Sequence, residues 1–184
     1  MTVRLHPIPE CVASAICAFG TVEGAVNTVI ETIQLGVPIA RVAFLDVTAI
    51  RATNLYSKLD LKETPTLFLE FHGSPRWVKE QSETVQEIAE ANGGSDFAWS
   101  TKEEERSRLW QARHDSIYSN KALRPGCDCY TTDICVPISR LAESILTARE
   151  DIEASPLIGK IIGHVGDGNF HIAYLIEPAT PADL

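Results

Sequence analysis

Gly163-His164-Val165-Gly166-Asp167-Gly168-Asn169-Phe170-His171 places two histidines on either side of a glycine-rich turn. Apolar residues flank both histidines, so residues 160–165 and 170–176 read as strands. With 166–169 as a four-residue loop, the two strands pair antiparallel. Val165 then faces Phe170, and His164 faces His171. Directly opposed residues have Cβ atoms about 4.5–5.5 Å apart on one face of a sheet. Two imidazoles so held can share one metal ion; the alternative is two hydrogen-bonded histidines at a turn. Asp167, Gly168 and Asn169 suit the turn, because Asp and Asn tolerate left-handed backbone and Gly adopts it freely. Asn169 can also direct its amide at a ligand.

Working outward, the chain alternates strand and helix. Strands are expected at 10–19, 41–46, 65–73, 97–99 and 129–136, before the terminal hairpin. Helices are expected after Thr21, with Val22, Ala25, Val26, Val29, Ile30 and Ile33 on one face, and at 47–57, 75–91, 101–121 and 137–153. Helix-linked strands allow a parallel sheet. The strands are short, however, and the closing hairpin is antiparallel. The expected class is therefore α+β: an antiparallel sheet with helices on one face, built from split βαβ units in the ferredoxin-like manner. Gly166 and Gly168 lie in a hairpin turn and not between a strand and a helix, so no dinucleotide fingerprint is read there.

A net charge of −9 without any Lys/Arg block argues against a nucleic-acid or anionic-membrane surface. No apolar run is long enough to span a bilayer. Five cysteines, odd in number and irregularly spaced, fit reduced structural thiols better than a disulfide framework.

The helix over 101–121 carries the second candidate site. Arg106, Trp110 and Arg113 are four and three residues apart and share a face. A guanidinium beside an indole can hold a carboxylate bidentately. The alternative is a solvated arginine paired with Glu103 or Glu105. His72 and His6 read as structural.

Several long motifs together resemble the flavin-dependent D-2-hydroxyacid dehydrogenases of the vanillyl-alcohol-oxidase type. They are the 163–171 signature, Pro65-Thr66-Leu67-Phe68-Leu69-Glu70-Phe71-His72-Gly73, residues 104–114 and Cys135-Val136-Pro137-Ile138-Ser139-Arg140-Leu141. Within that family the likeness leans to the mitochondrial, cytochrome-linked D-lactate dehydrogenase branch. It implies that residues 1–184 are the substrate-cap domain, with Arg4-Leu5-His6-Pro7 resembling the crossing from the flavin domain. It also implies FAD as cofactor, bound mainly by a flavin-binding domain absent from this chain, and a divalent metal, zinc or manganese. His164 and His171 would be metal ligands, Arg113 would hold the carboxylate of a 2-hydroxy acid, and Asn169 would lie by the substrate or flavin, at the catalytic centre. Cytochrome c or another acceptor would take the electrons.

The family supplies a further glutamate ligand and a catalytic histidine from a Gly-Glu-His-Gly motif that this sequence lacks. The expectation is thus a cap domain incomplete at its C-terminal end, without turnover alone. No lysine stands near Thr131, which leans toward a monocarboxylate such as D-lactate. The competing readings are a stand-alone metal- or carboxylate-binding module, a D-2-hydroxyglutarate- or glycolate-type member, or a shortened gene product.

Overall fold

β-Branched and aromatic runs alternate with amphipathic helices in chain order. They give β1 (Cys11–Phe19), α1 (Val22–Gln34), β2 (Arg41–Leu45), α2 (Val47–Ser57), β3 (Thr66–Gly73), α3 (Pro75–Ala91) and β4 (Gly94–Ser100). There follow α4 (Glu103–His114), α5 (Asn120–Leu123), β5 (Asp128–Thr131), β6 (Ile134–Cys135), α6 (Leu141–Ala154), β7 (Ile158–His164) and β8 (Asn169–Ile176). The structure is a computed structural model and describes residues 3, 8–116 and 118–177. Arg4-Leu5-His6-Pro7 and the closing loop at Pro178-Ala179-Thr180-Pro181 lie outside those residues.

One sheet carries the order β4-β1-β3-β2-β7-β8-β5, with β6 also on β8. All its pairings among the described residues are antiparallel. β3 lies between β1 and β2, which is the expected split βαβ unit, and β7, β8 and β5 widen the sheet beyond it.

Strand alternation sorts side chains onto two faces. Ala13, Ala15, Leu67, Leu69, Phe71, Phe44, Ile161, Phe170 and Ile172 form the larger core with α1, α3 and α6. The other face is not bare, contrary to the expected single-sided cover. Ala43, Leu45, Phe68 and Ile162 pack there against Ala49 and Ile50 of α2 and Trp110 of α4. The Trp110 indole N–H donates to Ser14 Oγ at 2.9 Å, and the Arg41 guanidinium stacks on its ring at 4.1 Å. Glu70 accepts from Arg41 and bonds His72 at 2.8 Å, so His72 is structural.

Three expected elements are subdivided. The 101–121 helix ends at His114 and resumes as α5. The 129–136 strand splits into β5 and β6. Pro137 leads into a 3-10 turn, Ile138–Arg140, before α6.

The hairpin also differs in register. His164 pairs with Asn169, and Ile162 pairs with His171. The turn occupies 165–168, one residue earlier than expected, because Val165–Asp167 form a 3-10 turn and Gly168 closes it at φ +72°. The two histidines are therefore diagonal neighbours, not opposed ones. Because each partner moves by two positions, both stay on the same face.

Two predictions follow from these junctions. At Gly168 a Cβ would be strained by the positive φ and would run into the carbonyl oxygen of Val136. Gly168→Ala should destabilise the fold by roughly 2–4 kcal/mol, read from urea unfolding midpoints. Asp46 caps α2, accepting from the Ala49 N–H at 2.7 Å, and pairs with Arg149 at 3.1 Å. Burial nevertheless pushes its carboxyl from 3.8 up to about 6. The folded state then holds the proton more tightly, so this contribution is full below pH 3.8 and is lost as pH rises through about 6. Asp46→Asn should abolish that downward slope; an unchanged slope in urea titrations across the window contradicts the assignment.

Candidate functional site

On the less covered face, three neighbouring strands make a floor. β7 contributes Lys160, Ile162 and His164, β8 contributes His171 and Ala173, and β5 contributes Cys129 and Thr131. The end of α4 and the start of α5 form a wall with Arg113, Ser116 and Asn120. Together they enclose a cavity of about 290 Å³. Period-two alternation along β7 and β8 explains why these residues meet. Arg113 comes from far along the chain, on the last turn of α4.

Arg113 Nη2 lies 3.4 Å from His164 Nε2 and Nη1 lies 3.4 Å from Ser116 Oγ. A guanidinium only donates, so His164 Nε2 accepts and carries the lone pair. Burial first, then the charge of Arg113 and the neighbouring His171, hold His164 below its ordinary pKa. It is thus a neutral imidazole at pH 7. His171 Nδ1 is 3.2 Å from the Thr132 carbonyl and 3.4 Å from Asp133 Oδ1, both acceptors. A proton on Nδ1 serves both contacts, and in the neutral tautomer so fixed the lone pair is on Nε2. His171 is thus oriented through Nδ1 by a carbonyl, as ligand histidines commonly are.

The donor set stops there. Among the described residues no group of three His, Cys, Asp or Glu could hold a metal ion. The pair fits part of a coordination shell and does not close one.

Two cations, the buried Lys160 and the half-buried Arg113, line the same cavity. Lys160 is 1% exposed and is shifted by burial from 10.5 to about 8. Burial likewise pulls the Arg113 guanidinium down. Neither forms an ion pair with a carboxylate among the described residues, and Arg113 Nε has no partner. Asn169 stands at the hairpin's edge. Its amide donates to Asp133 Oδ1 at 2.8 Å and to the Ile134 carbonyl at 3.2 Å, tying β6 to β8. Only its Oδ1 remains for a ligand. Arg106, expected on the same helix face, is not among the cavity residues.

Sequence reasoning passes over Lys160, Asn120 and Cys129. The one available signal is Lys160 itself, a lone charge inside the apolar run Ile158-Gly159-Lys160-Ile161-Ile162.

Residues 8–184 match the family described as FAD linked oxidases, C-terminal domain. The chain is 51% identical over 177 residues to the probable mitochondrial D-lactate dehydrogenase of Danio rerio, covering 96% of this chain and 36% of that protein. It is 38% identical to the mitochondrial D-lactate dehydrogenase [cytochrome] of Arabidopsis thaliana, covering 98% of this chain and 32% of that one. It therefore spans about a third of the length of these relatives. Among solved structures, 4-ethylphenol oxidase from Gulosibacter chungangensis shares the fold at TM-score 0.68 and 14% identity, covering 98% of this chain and 42% of that one. Sequence family and fold agree over nearly the whole chain: it belongs to the FAD linked oxidases, C-terminal domain family.

Proposed function

We propose that the intact protein is an FAD-dependent D-lactate dehydrogenase and that this chain receives its 2-hydroxy acid. The observation that carries the reading is the convergence of Arg113, His164 and His171 on one cavity, where the half-buried Arg113 has no carboxylate partner among the described residues. An unpaired buried charge is costly unless a ligand answers it. The names of the Danio rerio and Arabidopsis thaliana relatives support a D-lactate substrate and a mitochondrial location, and the latter's supports a cytochrome acceptor, which we take as cytochrome c.

Arg113 binds the substrate carboxylate through its paired N–H groups and fixes the orientation of C2. Ile162 and Ala173 offer a small apolar surface that suits a short alkyl end. Thr131 lines the same cavity where a lysine would serve a second carboxylate, and Lys160 turns its ammonium away to Ser116 and Ser119. Both features favour a monocarboxylate. His164 and His171 would hold a divalent metal, zinc or manganese, and Asn169 would lie by the substrate or flavin. When bound, the metal supplies a Lewis acid and FAD supplies the hydride acceptor.

One lone pair on His164 serves either Arg113 or a metal. Engagement of His164 elsewhere releases an Arg113 N–H for the carboxylate, so the two roles support each other.

The test joins this chain to its flavin-binding part and adds D-lactate. Bleaching of the flavin absorbance is expected; a folded, flavin-loaded protein that D-lactate leaves unbleached overturns the reading. The chain by itself should show no turnover. Arg113→Lys, which keeps the charge and loses the fork, should raise KM for D-lactate about tenfold or more. His164→Ala and His171→Ala should lose metal and activity together. Metal contents equal to the parent in both variants refute the shared-metal assignment.

A further inference from the structure

A continuous helix over 101–121 would give the Ser116 carbonyl to the amide of Asn120, four residues on. In the structure that carbonyl goes elsewhere. Lys160 Nζ donates to it, and Ser119 Oγ donates to it at 2.6 Å. Lys160 Nζ also donates to Ser119 Oγ at 3.0 Å. The Ser116 and Ser119 side chains are fully buried, as is Lys160. The ammonium thus sits in the break between α4 and α5, at the carbonyl end of α4, where a cation suits the helix dipole.

The other side of Ser116 faces Arg113. Its hydroxyl lies 3.4 Å from Arg113 Nη1, while Nη2 of the same guanidinium reaches His164. Ser116 therefore stands between two cations, offering its carbonyl to one and its hydroxyl to the other. Both Lys160 and His164 belong to β7 and, four residues apart, share its face. One strand thereby holds the arginine-bearing helix end at two points.

A lysine in this position is not a space-filler. An apolar side chain of similar length would fill the volume without the cost of desolvating a charge. We propose that Lys160 is a positioning residue for the carboxylate site: it clamps Ser116 at the end of α4, and Ser116 aims the Arg113 guanidinium across the cavity toward His164. The proposal rests on the reading of Arg113 as the carboxylate holder. Lys160 itself touches no substrate; its effect passes through the serine.

The experiment uses the chain joined to its flavin-binding part, loaded with FAD, with D-lactate as substrate. Lys160→Met should raise KM about tenfold and lower kcat by a smaller factor, since it misplaces the group that holds the carboxylate and orients C2. Ser116→Ala keeps the carbonyl that Lys160 grips and removes the hydroxyl that meets Arg113. It should raise KM in the same direction, and it decides the matter alone should Lys160→Met not fold. Adding Lys160→Met or Ser116→Ala to Arg113→Lys should produce no further rise, because the residues act as one unit. Unchanged KM in Ser116→Ala, or effects that multiply with Arg113→Lys, overturn the role of Lys160 while the carboxylate reading stands. Unchanged KM in Arg113→Lys overturns the carboxylate reading and this one with it.

Discussion

The pairing of β7 with β8 is the constraint on which the site depends. Its register sends Lys160, Ile162, His164, His171 and Ala173 to one face and Ile161, Phe170 and Ile172 to the other. The apolar set is locked under α1 and α6, and that burial fixes the register. A slip of one residue would exchange the two sets, putting a lysine and two histidines into the core. The core thus enforces the cavity's composition, and Ile162, packed in the smaller core, itself lines the cavity. Gly168 sets where the turn ends, and so which residue stands opposite His164.

The wall opposite that floor is held by polar contacts. Trp110 seats α4 through Ser14 and under Arg41, and the break after His114 lets the chain turn back over β7. Two cations meet at the break with a serine between them. Their mutual repulsion is tolerable because the buried carboxylate of Asp46 acts on Lys160 and because Ser116 supplies acceptors to both. The cavity remains positive in a chain whose net charge is −9. Local field, and not overall charge, governs what such a cleft attracts.

Much of this was legible in the sequence, and for identifiable reasons. The continuous apolar run in 65–73 and the apolar-rich stretch 170–176 announce strands, and Thr21 and Ser74 are side-chain caps where helices were expected to begin. His164, His171 and Arg113 were all singled out, and they do share a cavity. The offset of one residue in the hairpin turn was not legible, since Gly166 and Gly168 could each close it. Nor was the break in the 101–121 helix. Lys160, more than forty residues away, takes the Ser116 carbonyl at that break, and local propensity carries no trace of a distant ammonium. The second face's cover was missed because α4 is polar over most of its surface and buries little beyond Trp110 and Ala112.

The donor inventory explains why a well-built cavity can still be half a site. His171 lines the cleft with its Nδ1 held by the Thr132 carbonyl. His164 is specified only in part, since its lone pair lies against Arg113. Protonation would not relieve that contact, since it would set an imidazolium against a guanidinium; burial first, and the charge of Arg113 second, hold the ring neutral. What relieves it is a ligand that gives each partner something better: an anion for the arginine and an electrophile for the imidazole. A metal ion alone answers only the histidine, and a carboxylate alone answers only the arginine. On the proposed reading, a metal held by the histidine and a substrate carboxylate held by the arginine would each free the other's partner, so the two would bind together.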